Sequence, residues 1–196
     1  MNDADFESDN MSGEKSFVRR ACSFVNQENV LNGAQACYGQ RLDYASYCWE
    51  YDVENAPVHT GSRRRQYETD LLIYDEKPNQ SWTPLVIVEF KYRSVTTHDL
   101  LAYGAKAEAH RSRHPYIRYG LTVGGWDKPF QGRMFAHGAP FDFMAIMPTA
   151  DETDGFRRLT DVLRSEITAA RRLKEAHMTG AFPPGTWLMH RPLVLG

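Results

Sequence analysis

Cysteine is scarce in this chain: Cys22, Cys37 and Cys48 are the only three in 196 residues, odd in number and without a C-x-x-C spacing. That excludes a disulfide framework and a structural zinc site of the usual kind, and leaves free thiols in the core as the expectation. Charge of one sign is also lacking, since 23 Lys and Arg stand against 25 Asp and Glu for a net charge of −2. The chain as a whole is therefore no polycation, although nucleic-acid binding depends on where the charge is concentrated. No apolar run approaches the roughly 20 residues of a membrane-spanning helix. The first fifteen residues, MNDADFESDNMSGEK, lack the basic and apolar regions of a signal peptide, so residues 1–15 read as a flexible N-terminal tail and the protein as cytoplasmic. Internal repeats and low-complexity linkers are missing as well, which makes residues 16–196 one domain.

What is present is a mixture of helical and strand periodicities. From Glu14 to about Leu42 the apolar positions Phe17, Ala21, Phe24 and Val25, then Val30, Leu31, Ala34 and Tyr38, fall at helical spacing, with Gly33 as a weak point. The aromatic stretch from Tyr44 to Val53 predicts a first strand, Gln66 to Tyr74 a second, and residues 85 to 91 a third, joined as a meander. A helix follows from Thr97 to Arg113, with Thr97 as its cap. "IRYGLTVGG" and "FDFMAIMP" predict two more strands. A last amphipathic helix runs from about Thr153 to His177, burying Phe156, Leu159, Val162, Leu163, Ile167 and Ala170. This order gives an α/β fold with a mixed central β-sheet flanked by helices.

The third strand, "LVIVEFKYR" at residues 85 to 93, carries Glu89 and Lys91 within an apolar run. Two residues apart in a strand, they point to the same face. A simple ion pair at the strand's end is one reading. The other begins with Asp70 on the preceding strand: with the two strands paired, Asp70 and Glu89 converge at one end of the sheet. Paired carboxylates are costly to bury ionised unless a cation lies between them. Mg²⁺ prefers oxygen ligands and keeps several waters, so Asp70, Glu89 and a backbone carbonyl form an open site for it, with Mn²⁺ as a possible substitute. Water on such an ion is acidified, and Lys91 is placed to orient it or to offset charge on a phosphate.

Asp70, eighteen intervening residues, then Glu89-Phe90-Lys91 on an apolar strand resembles the PD-(D/E)xK nuclease superfamily, with its restriction-endonuclease-like fold, over roughly residues 28 to 124. Thr69 stands where the family's name has Pro. The resemblance implies a Mg²⁺-dependent nuclease acting on DNA in restriction, repair or defence. A catalytically inactive module that keeps the fold and binds nucleic acid or a partner is the alternative. It also implies an acid on the first helix as a further catalytic and metal-binding residue; Glu28 matches best, with Glu68 as closest rival and Glu14 and Glu50 as others. Tyr103 and Lys106 occupy the matching region of the helix after the strand, where they would contact phosphate. Arg118, and the run Arg63, Arg64 and Arg65, complete the expected nucleic-acid contacts. Tyr119 is expected to pack in the core or stack on a base, and His110 and His114 are not expected to ligate metal. A homodimer suits cleavage of both strands of a duplex.

Overall fold

The computed structural model describes residues 3–27, 31–45, 50–54, 57–58 and 65–180. Helix α1 (Asp3–Gln27) starts before Glu14 and takes in most of the segment read as a tail. It ends well short of Leu42, because the chain reverses at Asn32 (φ 51°) and Gly33 (φ 83°), backbone angles in the left-handed region that glycine tolerates best. Strand β1 (Gln35–Cys37) follows. The Asn26 side chain staples it to α1: its amide donates to the Ala36 carbonyl (2.9 Å) and its oxygen accepts from the Ala36 N–H (3.2 Å). Helical spacing at residues 31 to 38 therefore misread a turn and a strand.

The predicted first strand is also broken up. Strand β2 (Arg41–Ala45) pairs antiparallel with β5 (Arg65–Glu68) as a two-stranded ribbon, and β3 (Glu50–Tyr51) pairs with β4 (Pro57–Val58). None of these four belongs to the main sheet. The predicted second strand splits between β5 and β6 (Leu71–Glu76). At the break, buried Thr69 directs both its backbone N–H (3.0 Å) and its hydroxyl (2.9 Å) to the Gln40 carbonyl. Proline at 69 would have no N–H for that bond, which is a local reason for threonine here.

Strand β7 (Trp82–Tyr92) runs antiparallel to β6, then α2 (Thr97–Arg113) carries the chain to β8 (Arg118–Gly124), parallel to β7. Helix α3 (Gly132–His137), parallel strand β9 (Phe143–Met147), a 3-10 turn (Thr149–Asp151) and α4 (Glu152–Thr179) complete the described chain. The result is a mixed five-stranded sheet in the order β1-β6-β7-β8-β9, flanked by helices. Thr96, not Thr97, caps α2, in a reciprocal box with Asp99. Val162 on α4 is 38% exposed rather than buried. Cys22 is buried and Cys37 half-buried, both free thiols; Cys48 lies outside the described residues.

Alternation along β7 divides the core. Val86, Val88 and Phe90 pack with α1 and α4, while Ile87 joins Leu100, Ala107 and Tyr119 on the α2 side. At the end of the sheet, Phe17 of α1 lies edge-on to Phe90 with ring centroids 5.5 Å apart. Its ring also fills the space where a Cβ on Gly124 would stand, only 2.3 Å away. That close approach pins α1 at the C-terminal end of β7, and Glu14, one turn before Phe17, comes with it. Among the described residues no helix is long and apolar enough to cross a membrane.

Candidate functional site

The β6–β7 register opposes Leu71 to Val88, and its continuation sets Asp70 against Glu89. Both leave the main chain on the α2 side of the sheet. Asp70 stands just before β6, and its Oδ2 accepts the Phe90 backbone N–H at 2.8 Å, which fixes its carboxyl beside β7. Asp70 and Glu89 share a hydrogen bond that favours the proton on Glu89.

Glu89 is 1% exposed. Burial, then the neighbouring Asp70 charge, pushes its pKa up to about 7, against the pull of Lys106 and of the Tyr119 hydroxyl. Tyr119 donates to Oε1 at 2.5 Å, and the Lys106 ammonium lies 3.5 Å from Oε2. Burial also raises Asp70, opposed by the Phe90 N–H and by Lys106 and Lys91. The sheet thus holds two carboxyl groups against each other, hydrogen-bonded while Glu89 keeps its proton and repelling once both are ionised.

Glu89 and Lys91 are not each other's ion-pair partners. The Lys91 ammonium lies 3.4 Å from Glu14 of α1 and 3.7 Å from Asp99 in the first turn of α2. It also stands over the Tyr103 ring, 5.6 Å from the centroid. Glu14 has its pKa raised, chiefly by burial, partly offset by Lys91 and reinforced by the charge on Asp70. Among the described residues, Glu14 is therefore an acid of α1 that feels the charge on Asp70. Glu28 lies outside the described residues. Glu68 points elsewhere, 65% exposed and 3.9 Å from Arg41, and Glu50 belongs to the β3–β4 pair.

Tyr103 and Lys106 reach the site as their helix position suggested. Lys106 sits between two aromatic faces, 5.0 Å from the Tyr103 centroid and 5.6 Å from that of Tyr67 on the ribbon. Tyr67 stacks on Tyr44 across the ribbon, with centroids 3.9 Å apart. Burial pushes the Tyr103 hydroxyl pKa upward, so it stays protonated. Arg65 is exposed on the same ribbon strand, while Arg63 and Arg64 lie outside the described residues. Arg118 is at the opposite end of the parallel strands, across from Val86, and its guanidinium is engaged by Asp142 and Glu166. It does not face the carboxylate pair.

Sequence reasoning missed two contributors, Asp99 and Tyr67, and the polar role of a third, Tyr119, whose place in the core it expected. Asp99 carried a readable signal, the T-x-x-D capping box, but its reach toward Lys91 depends on how α2 meets β7. Tyr67 reaches Lys106 only because the ribbon folds onto α2. Tyr119 serves both as core and as a polar contact, its buried ring stacked on His110 at 6.0 Å and its hydroxyl on Glu89. Burial drives the His110 pKa down to about 4, so that ring is neutral near pH 7. Among the described residues, no three His, Cys, Asp or Glu side chains form a ready-made metal cage. No protein-family model matches the sequence, and no curated protein does.

Proposed function

We propose that the chain is a divalent-metal-dependent nuclease of the PD-(D/E)xK type, with a restriction-endonuclease-like core, hydrolysing phosphodiester bonds in DNA. The observation that carries this reading is a charge imbalance around a buried acid, Glu89. Glu14, Asp70, Glu89 and Asp99 supply four carboxyl groups to a cluster with two ammonium groups, Lys91 and Lys106. With every group ionised, two negative charges are left over, the amount one divalent cation neutralises.

The donors suit Mg²⁺, with Mn²⁺ as a substitute: all are oxygen, and the two central ones repel each other until a cation joins them. Asp70 and Glu89 would hold the ion, with Glu14 as the helix acid completing or second-ion ligand. The ion supplies an acidified water and neutralises charge on the phosphate. Lys91, paired with Glu14 and Asp99 beside the carboxylates, would orient the attacking water and offset charge on the non-bridging oxygens. Tyr103 and Lys106 meet the phosphate from α2, and Arg65 extends the contact along the ribbon. Two copies related by a twofold axis would cut both strands of a duplex.

A second reading rests on the double ion pairing of Lys91, which could equally pin α1 to α2 in a non-catalytic nucleic-acid-binding module. Lys91→Met separates them. In the nuclease, single-turnover cleavage falls by about a hundredfold or more while binding of DNA in Ca²⁺ is nearly unchanged, and EDTA abolishes cleavage by the native chain. In the module, the native chain neither cleaves DNA with Mg²⁺ nor loses an activity to EDTA. Normal cleavage by Lys91→Met removes the lysine from the chemistry.

A further inference from the structure

We propose that Lys106 is a tethered counter-cation for the carboxylate pair, holding the place of the divalent ion until the ion displaces it. This deepens the nuclease reading and rests on it. Among the described residues, Lys106 is the cation within ion-pair distance of Glu89, with 3.5 Å from Nζ to Oε2, and its charge also acts on Asp70. Lys91 cannot take that role, because its ammonium is engaged by Glu14 and Asp99.

The two lysines differ in a second way. Lys106 comes from the middle of α2 and rests between the faces of Tyr67 and Tyr103. An ammonium over aromatic faces keeps part of its electrostatic stabilisation without a carboxylate. Lys106 makes both ring contacts in the same pose that pairs it with Glu89, so part of its stabilisation does not depend on the carboxylate. Its side chain is 26% exposed, which leaves the ammonium room to move off Glu89 toward solvent, whereas Glu89 at 1% cannot turn out to water. The fixed partner is the acid and the moving partner is the base.

Two cations at one carboxylate pair repel, so an entering divalent ion must exchange with the ammonium rather than fill a bare site. The carboxylates are then never left uncompensated in the fold, and the lysine is released beside the place where a phosphate would arrive. Nucleic acid that captures the freed ammonium strengthens metal binding, and metal strengthens nucleic-acid binding by the same factor. Lys106 acts on the metal through Glu89 and Asp70, which makes it a positioning residue.

Calorimetric titration of the full chain with Mg²⁺ alone, without nucleic acid and repeated across a range of pH, tests this. Lys106→Met should bind Mg²⁺ about tenfold more tightly than the native chain, and Lys106→Arg close to the native value. Metal-free Lys106→Met should melt below the native chain, and added Mg²⁺ should remove the difference. Lys106→Gln, a polar replacement of similar reach, should repeat the tightening if the Met variant folds poorly. Equal or weaker Mg²⁺ binding by the neutral variants overturns the role given to Lys106 while leaving the nuclease reading intact. Absence of Mg²⁺ binding in the native chain and every variant overturns both.

Discussion

At the start of β8, Arg118 lies between two acids, 2.5 Å from Glu166 and 3.0 Å from Asp142, and Arg111 closes on Asp142 at 2.8 Å. Toward the other end of the same sheet, Asp70 and Glu89 face each other with one lysine at 3.5 Å. Both groups are largely buried. In the first, two guanidinium groups meet two carboxylates, so the desolvation of each charge is offset by hydrogen bonds to an opposite one. In the second, like charges are brought together by strand register, and Glu89 responds by holding its proton up to about pH 7. A balanced cluster ties elements together; an unbalanced one is poised to take up a cation or a proton.

Breaking the balanced cluster should have the larger effect on stability. Arg118→Met takes the guanidinium from Glu166 and leaves Asp142 with Arg111 and the Tyr119 N–H, so unfolding in denaturant should show a loss of about 3 to 5 kcal/mol. Mg²⁺ binding per folded molecule should not change. A loss of Mg²⁺ affinity in a folded Arg118→Met protein would show that the two clusters are not separate.

The unbalanced cluster should reveal itself through pH. The Glu89 pKa of about 7 in the folded chain stands above its ordinary 4.5. Between those values the folded state keeps a proton that the unfolded state has released. The stabilisation from that proton is complete below about pH 4.5, falls as pH rises through 7 and is gone above it. The shift is worth up to about 3 kcal/mol. Metal-free native protein in EDTA should therefore lose stability across that window. Glu89→Gln, neutral throughout, should lack this part of the slope, be at least as stable as the native chain at about pH 8, and fail to bind Mg²⁺. A slope unchanged by the substitution would return Glu89 to the company of ordinary paired acids.

How legible these clusters were depended on range. Strands β7 to β9 and helices α2 and α4 could be read because dense apolar runs and periodic faces are local properties. The pairing of Asp70 with Glu89 could be read because a short connection between two strands brings their far ends together. The stretch after Gln27 could not: the helix stops where Asn26 reaches Ala36, and Asn32 and Gly33 turn the chain, which spacing alone does not reveal. Glu14 feels the charge on Asp70 because Phe17 seats α1 against Gly124, a contact across more than a hundred residues, while Glu28 lies outside the described residues. Arg118 reads from sequence as a phosphate contact, and the acids that engage it, Asp142 and Glu166, are too distant in the chain to be read beside it.

Tyr119 joins the two regions and offers the finest test of their difference. Its backbone N–H donates to Asp142 in the balanced cluster at 2.8 Å, while its hydroxyl donates to Glu89 in the unbalanced one. Tyr119→Phe removes the second bond, keeps the first, and leaves the volume of the buried ring almost unchanged. A hydrogen bond to an ionised carboxylate is worth about 1.5 kcal/mol, and it favours the charged form. Removing the hydroxyl should therefore push Glu89 further upward, by about one pH unit. Metal-free Tyr119→Phe should lose up to about 1.5 kcal/mol above the titration of Glu89 and much less at acid pH, where the carboxyl is protonated. The midpoint of Mg²⁺ uptake against pH should move upward by a similar unit. Denaturant melts across the pH range decide the matter: a loss of equal size at every pH would mean that the hydroxyl serves packing alone and does not tune the acid.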